Sequence, residues 1–133
     1  MILLDTNVVS ELMRLDADRS VLDWFATQHP DETFICSITV LELFTGVESM
    51  ACGRRRDDAE VRIRRILSLL GPVIVPFGEA AAEYCAAIIA ADPDVDVFDA
   101  QIASIALAHR AALATRNTRH FDAFGLEVIN PWE

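Results

Sequence analysis

Three carboxylates and one amide recur at a single kind of position along this 133-residue chain. Asp5 stops the apolar run Ile2-Leu3-Leu4, and Glu42 follows the short run Thr33-Phe34-Ile35-Cys36. Asp99 opens an apolar helical pattern, and Asn117 comes after the run Ala111-Ala112-Leu113-Ala114. Each falls just past an expected strand or at the start of the helix behind it. In a parallel sheet with right-handed crossovers those places lie along one edge, where open α/β sheets put their ligands. Three carboxylates in one crevice repel, and burying them uncompensated is costly. A hard divalent cation relieves the repulsion, and all-oxygen donors select Mg2+ or Mn2+ over zinc. Such ions activate water and steady an in-line displacement at phosphorus.

Every one of these residues also has an ordinary structural use, and the local sequence leaves both open. Asp5 supplies the oxygen that the N-cap of a following helix needs. Thr39 and Glu42 have the spacing of a capping box. An acid at Asp99 complements the positive end of a helix dipole.

The elements that must position these groups follow from periodicity. Val8, Val9, Leu12 and Met13 have helical spacing after the first strand. A second helix opens at Asp18 or Ser20, turns Val21, Leu22, Trp24 and Phe25 inward, and ends at His29-Pro30-Asp31. A strand over 33–36 leads into a helix from Ser37 to about Met50, with Glu42 in its first turn. Gly71-Pro72 is an expected turn and 73–77 an expected strand; a helix over about 79–91 is broken by Pro93. From about Val97, Phe98, Ile102, Ile105 and Ala106 repeat helically, and the chain closes with strands over 111–114 and 126–129. Strands separated by helices throughout predict a three-layer α/β/α sandwich around a short, mainly parallel sheet of about five strands, as one domain over residues 1–133.

Composition narrows the function. The chain is 53% hydrophobic with a net charge of −10, which suits a well-buried α/β protein and opposes broad electrostatic attachment to nucleic acid. All eleven basic residues are arginine; the absence of lysine excludes a Walker-type P-loop, Schiff-base catalysis and a receiver-type site. No apolar run reaches the roughly 20 residues of a membrane span, and Asp5 interrupts the first apolar run where a leader would continue, so a cytoplasmic location is expected. Three cysteines without CxxC spacing are expected to be reduced and to fill the core. Six of the arginines lie in 51–71 beside Asp57, Asp58 and Glu60. Asp58–Arg62 and Glu60–Arg64 have the spacing of helical ion pairs, so this strip is either a solvated, self-paired face or a contact for RNA or a partner. Arg54, Arg55 and Arg56 are the candidates for contact, because no acid stands four residues before them. The acid surplus suits a basic partner or simple solubility.

The stretches MILLDTNVVSEL, SITVLELFTGV, FDAQIASIALAHRAALATRNTRHF and VINPW together resemble the motifs of PIN-domain ribonucleases, and more narrowly the VapC-type toxins, including the FitB-like branch, of type II toxin–antitoxin pairs. The resemblance covers nearly the whole chain. It implies metal-binding acids at Asp5, Glu42 and Asp99, with the family's fourth acidic position on Asn117, which offers a carbonyl oxygen but no charge and leaves the number of metals open. It also casts Thr6, Asn7 and Thr115 as hydrogen-bonding supports for the ligands. Asp96 is an extra acid that either offsets Asn117 or is a solvated loop residue; His120 falls outside the implied set. The implied activity is Mg2+- or Mn2+-dependent endonucleolytic cleavage of RNA, leaving a 5′-phosphate and a 3′-hydroxyl. The implied partners are a cognate antitoxin that covers the crevice with a basic side chain, an RNA substrate and a second copy in a homodimer, with no membrane. Two rivals remain. A PIN-like binding module with a decayed site is favoured by Asn117 and opposed by the three acids. A phosphatase of the haloacid dehalogenase type needs a second Asp where Asn7 stands.

Overall fold

A run as short and apolar as Ile2-Leu3-Leu4 is stable as a strand only when covered on both faces, and the rest of the chain supplies the two covers. The computed structural model describes residues 1–70 and 74–133; the expected turn at Gly71-Pro72 and the start of the expected strand at Val73 lie outside the described residues. In chain order the elements are β1 (Ile2–Leu4), α1 (Thr6–Leu12), α2 (Arg19–Ala26), β2 (Thr33–Cys36), α3 (Ser37–Glu48), α4 (Arg54–Leu69), β3 (Ile74–Val75), α5 (Glu79–Ala91), α6 (Val97–Ala108), β4 (Ala112–Ala114), α7 (Thr118–Phe121) and β5 (Val128–Ile129). Single 3-10 turns lie at Pro30–Glu32 and Asp122–Phe124.

The sheet runs β3-β2-β1-β4-β5 with every pairing parallel. Leu3 pairs in register with Phe34 on one side and Leu113 on the other, and Leu4 with Ala114. From β1 the chain first builds outward through β2 and β3, then returns to β1's other edge as β4. That reversal puts the crevice of an open α/β sheet between the carboxyl ends of β1 and β4.

Alternation along the strands divides the interior into two cores. Leu3, Phe34, Cys36 and Leu113 face α5 and α6. Leu4, Ile35 and Ala114 face the other way, against Val8, Val9, Val21, Leu43, Val47 and Ile63 of α1 to α4. These are the three expected layers. α6 buries Ala100, Ile102, Ala103, Ser104, Ile105 and Ala106; its small residues admit α5 closely, and the Ser104 hydroxyl is satisfied by donating to the Ala100 carbonyl at 2.6 Å.

Several local expectations change. Leu22 is 39% exposed rather than inward, because α2 turns only Val21 fully into the core while Trp24 and Phe25 cover its edge. Phe98, at the start of α6, is likewise exposed. α3 ends at Glu48, with Ser49 as its cap. β3 and β5 are two residues each. Cys36 and Cys85 are buried and unbridged as expected, whereas Cys52 is exposed, in the loop before α4. α6 closes with Arg110 at φ 51°, the left-handed region that favours glycine. Around it Ala111 N–H bonds the Ala106 carbonyl and Arg110 N–H the Leu107 carbonyl, a Schellman-type stop. Among the described residues no helix is long and apolar enough to cross a membrane.

Candidate active site

Asp5 caps α1 and continues the central strand at once. Its N–H bonds the Ala114 carbonyl at 2.9 Å, so the β1–β4 ladder fixes its backbone at the crevice. The side chain is only 4% exposed. Oδ1 accepts from the Thr6 N–H at 2.7 Å, while Oδ2 accepts from Asn7 Nδ2 at 2.9 Å and from the Thr115 hydroxyl at 2.6 Å. Burial pushes the carboxyl above its usual range and the Asp99 charge adds to that, against the pull of the Thr115, Thr6 and Asn7 donors. Capping and cleft-lining are therefore both uses of the same side chain.

Thr115 is the hub behind it. Fully buried at the end of β4, its hydroxyl donates its single proton to Asp5 and accepts from Asn7 Nδ2 at 3.2 Å and from the Asn117 N–H at 3.1 Å. Both lone pairs and the proton are then used. Asn7 closes the circuit by accepting the Arg116 N–H at 3.2 Å. This network ties the loop after β4 to the loop after β1.

Glu42 stands in the second turn of α3, not its first, since the helix already starts at Ser37. The capping box does not form: the N-cap is Cys36, without a side-chain cap bond. Instead Glu42 Oε1 accepts the Thr6 hydroxyl at 2.7 Å, and buried Thr39 lies 3.4 Å from that same hydroxyl. Burial raises the Glu42 carboxyl above its usual range, helped by the charges of Asp5, Asp99 and Asp96 and opposed by the Thr6 bond. Asp99 is the third residue of α6, with His120 Nδ1 3.0 Å from its Oδ2. Asp96 is the N-cap of α6, accepting the Asp99 N–H at 3.0 Å, and does not line the cleft. It is a helix cap, a use that neither of its two expected roles included.

Asp5, Glu42, Asp99 and Asn117 line one cavity of about 400 Å³, as do Thr6 and Asn7. All the expected cleft residues except Asp96 and the buried Thr115 thus reach its wall. Among the described residues no group of three or more His, Cys, Asp or Glu is already gathered to hold a metal ion. Each acid has its own local partner: Thr6 holds Glu42, His120 lies against Asp99, and three donors hold Asp5. The donor set still fits a hard divalent cation, being three carboxylates and an amide oxygen, with the charged forms of Asp5 and Glu42 disfavoured by burial and by neighbouring carboxylates.

The other walls were not anticipated from local sequence. Ser10, Glu11 and Arg14 of the α1 face, Arg116 and Trp132 complete the cavity. Arg116 was legible only as the residue between Thr115 and Asn117; nothing local distinguishes Trp132. The arginine strip is placed elsewhere. Arg56 bonds Glu48 of α3 at 2.8 Å, and Arg64 pairs with Glu60 at 2.9 Å while its guanidinium lies 5.1 Å from the Phe44 ring. Asp58–Arg62 is not an ion pair among the described residues. Arg54 and Arg55 are exposed at the start of α4, and none of Arg54, Arg55 and Arg56 lines the acidic cavity.

The sequence matches the model of the PIN domain over residues 2–125. It is 41% identical to a plasmid stability protein, StbB, of Pseudomonas syringae pv. tomato, and 39% identical to the VapC ribonuclease Y4jK of Sinorhizobium fredii, in each case over all of this chain and 99% of the relative. Toxin FitB of Neisseria gonorrhoeae is 34% identical over 99% of both chains. Among solved structures the fold is similar to a chain of the N. gonorrhoeae FitAcB crystal structure, with a TM-score of 0.89 at 34% identity, covering 100% of this chain and 99% of that one. A FitAB complex bound to a DNA fragment gives 0.87 at 33%, covering 100% and 96%. With the four motifs on one sheet edge and the relatives matched end to end, the chain belongs to the PIN-domain family.

Proposed function

We propose that this protein is a divalent-metal-dependent endoribonuclease, with Mg2+ or Mn2+ held by Asp5, Glu42 and Asp99, and that it acts as the toxin of a toxin–antitoxin pair. The observation that carries the reading is that three carboxylates from three separate elements line one cavity at the sheet's reversal point, Asp5 being fixed there by three donors. The similarity to a VapC ribonuclease and to toxin FitB supports the substrate class. A cation in that cavity supplies Lewis acidity toward water and the scissile phosphate. The chain's own residues do the rest. Thr115, Asn7 and the Thr6 amide orient the Asp5 carboxylate; the Thr6 hydroxyl orients Glu42; Asn117 offers an uncharged oxygen beside them.

A protein inhibitor belongs to the same reading, since the similar solved structures include toxin–antitoxin complexes. α1 and α4 leave a groove lined by Leu12, Met13, Leu15, Ile66 and Leu69 and edged by Arg62 and Arg65. Leu15 and Leu69 are 92% and 75% exposed there, and a smaller hollow lined by Ser10 and Arg14 joins it to the acidic cavity. An antitoxin segment with apolar anchors and a terminal basic side chain fits that path. Pairing with a second copy is part of the proposal too, through the apolar hollow lined by Tyr84, Ala87, Ile88 and Ala91 of α5 with Leu107 and Phe124.

One contact favours a second reading. His120 against Asp99 is the geometry of an oriented acid–base histidine, which would let the RNA's own 2′-hydroxyl attack without a metal. The discriminating experiment is incubation of purified, antitoxin-free protein with total RNA. Cleavage is expected in Mn2+, absent in EDTA and absent in Asp5→Asn with its fold intact; cleavage that persists in EDTA overturns the metal reading.

A further inference from the structure

The acidic cavity does not end at Asn117. Arg116 and Asn117 also line an adjoining cavity of about 330 Å³ with Thr118, Arg119, His120, Asn130 and Glu133. Its volume is near the lower end of small-ligand sites, about 300–1,000 Å³, the size for one nucleotide rather than a folded RNA. It is richer in cations relative to acids than its neighbour: the guanidiniums of Arg116 and Arg119 line it, with Glu133 as its acidic residue.

Both guanidiniums are unspent. In a chain with 21 acids, neither Arg116 nor Arg119 makes an ion pair among the described residues. Arg116 is held by its surroundings, not by a counter-charge. Its N–H is fixed on Asn7 and its neighbours Thr115 and Asn117 are bonded to each other. Its guanidinium lies 5.2 Å from the centroid of the Trp132 ring. Trp132 is set in place in turn. Thr115 N–H bonds the Ile129 carbonyl, Trp132 N–H bonds Asn130 Oδ1, Pro131 is buried, and the indole packs partly against the α1–α4 core. An aromatic ring paired with a guanidinium plane therefore forms one wall where the acidic and basic cavities meet.

The geometry points to a nucleotide subsite beside the carboxylates, in which Arg116 and Arg119 take the phosphate next to the scissile one and the Arg116–Trp132 pair stacks on a base of single-stranded RNA. This deepens the nuclease reading above and rests on it. Stacking on an aromatic ring tolerates any base, whereas phosphate contact is read as salt dependence. The subsite thus lets an acidic protein hold a polyanion: the charge cost at the carboxylates is offset one nucleotide away.

The test separates the two contributions. Binding is followed by fluorescence anisotropy of a short labelled single-stranded RNA of mixed sequence in Mn2+, every protein carrying Asp5→Asn so that the probe survives. Arg116→Gln and Arg119→Gln should each flatten the dependence of log affinity on log salt by about 0.7. Trp132→Leu should weaken binding by at least about fivefold with the slope unchanged, and Trp132→Phe should retain it. With Asp5 restored, the same variants should cut total RNA at a retained maximal rate but need more RNA to reach it. Should Trp132→Leu fail to fold, the exposed arginine pair decides through the slope alone. Unchanged binding and unchanged cleavage in all variants overturn the subsite and leave the nuclease standing. Unchanged RNA binding with lost antitoxin binding also overturns it, assigning the wall to a protein partner. If the parent protein cuts no RNA in Mn2+, the nuclease reading fails first and the subsite falls with it.

Discussion

At the scale of single residues the cleft works by opposing two costs. Desolvation disfavours the charged forms of Asp5 and Glu42, and so does repulsion from neighbouring acids (Asp99 at Asp5; Asp5, Asp99 and Asp96 at Glu42), while hydrogen bonds from Thr115, Thr6 and Asn7 to Asp5 and from Thr6 to Glu42 favour them. In both carboxyls the disfavouring causes win. Since folding raises both pKa values, the native chain holds protons more tightly than the unfolded one. Metal-free stability from this pair is therefore greatest at acid pH and is lost as pH rises from the ordinary carboxylate range through the raised values. Glu42→Gln keeps an oxygen for the Thr6 hydroxyl and removes the charge. In EDTA at neutral pH it should melt higher than wild type, with the difference shrinking as pH is lowered; thermal melts across that range check it, and a gap that widens toward acid contradicts the shared repulsion. The residue types and spacing made Asp5, Glu42, Asp99 and Asn117 legible before any coordinates, because strand ends and helix starts are marked by local polarity. Arg14 and Trp132, which line the cleft, and His120, which bonds Asp99 from 21 positions away, were not, since tertiary contacts that no local pattern encodes bring them there.

At the scale of elements, strands of two to four residues hold their positions because each is covered on both faces. Layering and parallel sense followed from the alternation of strand and helix, whereas the strand order came only with the structure and exact ends depended on caps. Asp18 and Asp96 start α2 and α6, accepting the Ser20 and Asp99 N–H groups; the capping-box spacing of Thr39 and Glu42 misleads because Thr6, 33 or more positions away, takes both side chains. The stop after α6 carries a removable strain. Arg110 occupies the left-handed region at φ 51° and makes no ion pair among the described residues. Arg110→Gly should stabilise the protein by about 1 kcal/mol, a rise of roughly 3–5 °C in melting temperature, with nuclease activity unaltered. A lower melting point would mean that the Arg110 side chain contributes more than its backbone costs. The arginines of α4 divide by the same logic: Arg56 and Arg64 fasten the helix to α3 through Glu48 and Phe44, so charge count alone overstated how many are free for a ligand.

At the scale of the molecule, four of the chain's 21 acids, Asp5, Glu11, Glu42 and Asp99, are brought by the fold to one cleft that a cation or a basic partner side chain can neutralise. Anything that binds the native state alone raises its stability by mass action: Mg2+ or Mn2+ at a hundred times its dissociation constant should add about 2.7 kcal/mol, about ten degrees of melting temperature for a chain of this size. Asp99→Asn should blunt that response. A melting curve unmoved by either ion would mean the carboxylates do not act together. The same cleft distinguishes two ways of breaking RNA, by water or by the RNA's neighbouring hydroxyl, and the chemistry leaves its record on the product ends. The decisive measurement is end-group analysis of RNA cut by the purified protein in Mn2+. Attack by water leaves a 5′-phosphate and a 3′-hydroxyl, which is the result predicted from Asp5, Glu42 and Asp99 acting with the ion; a 2′,3′-cyclic phosphate with a 5′-hydroxyl would contradict it and hand the chemistry to His120.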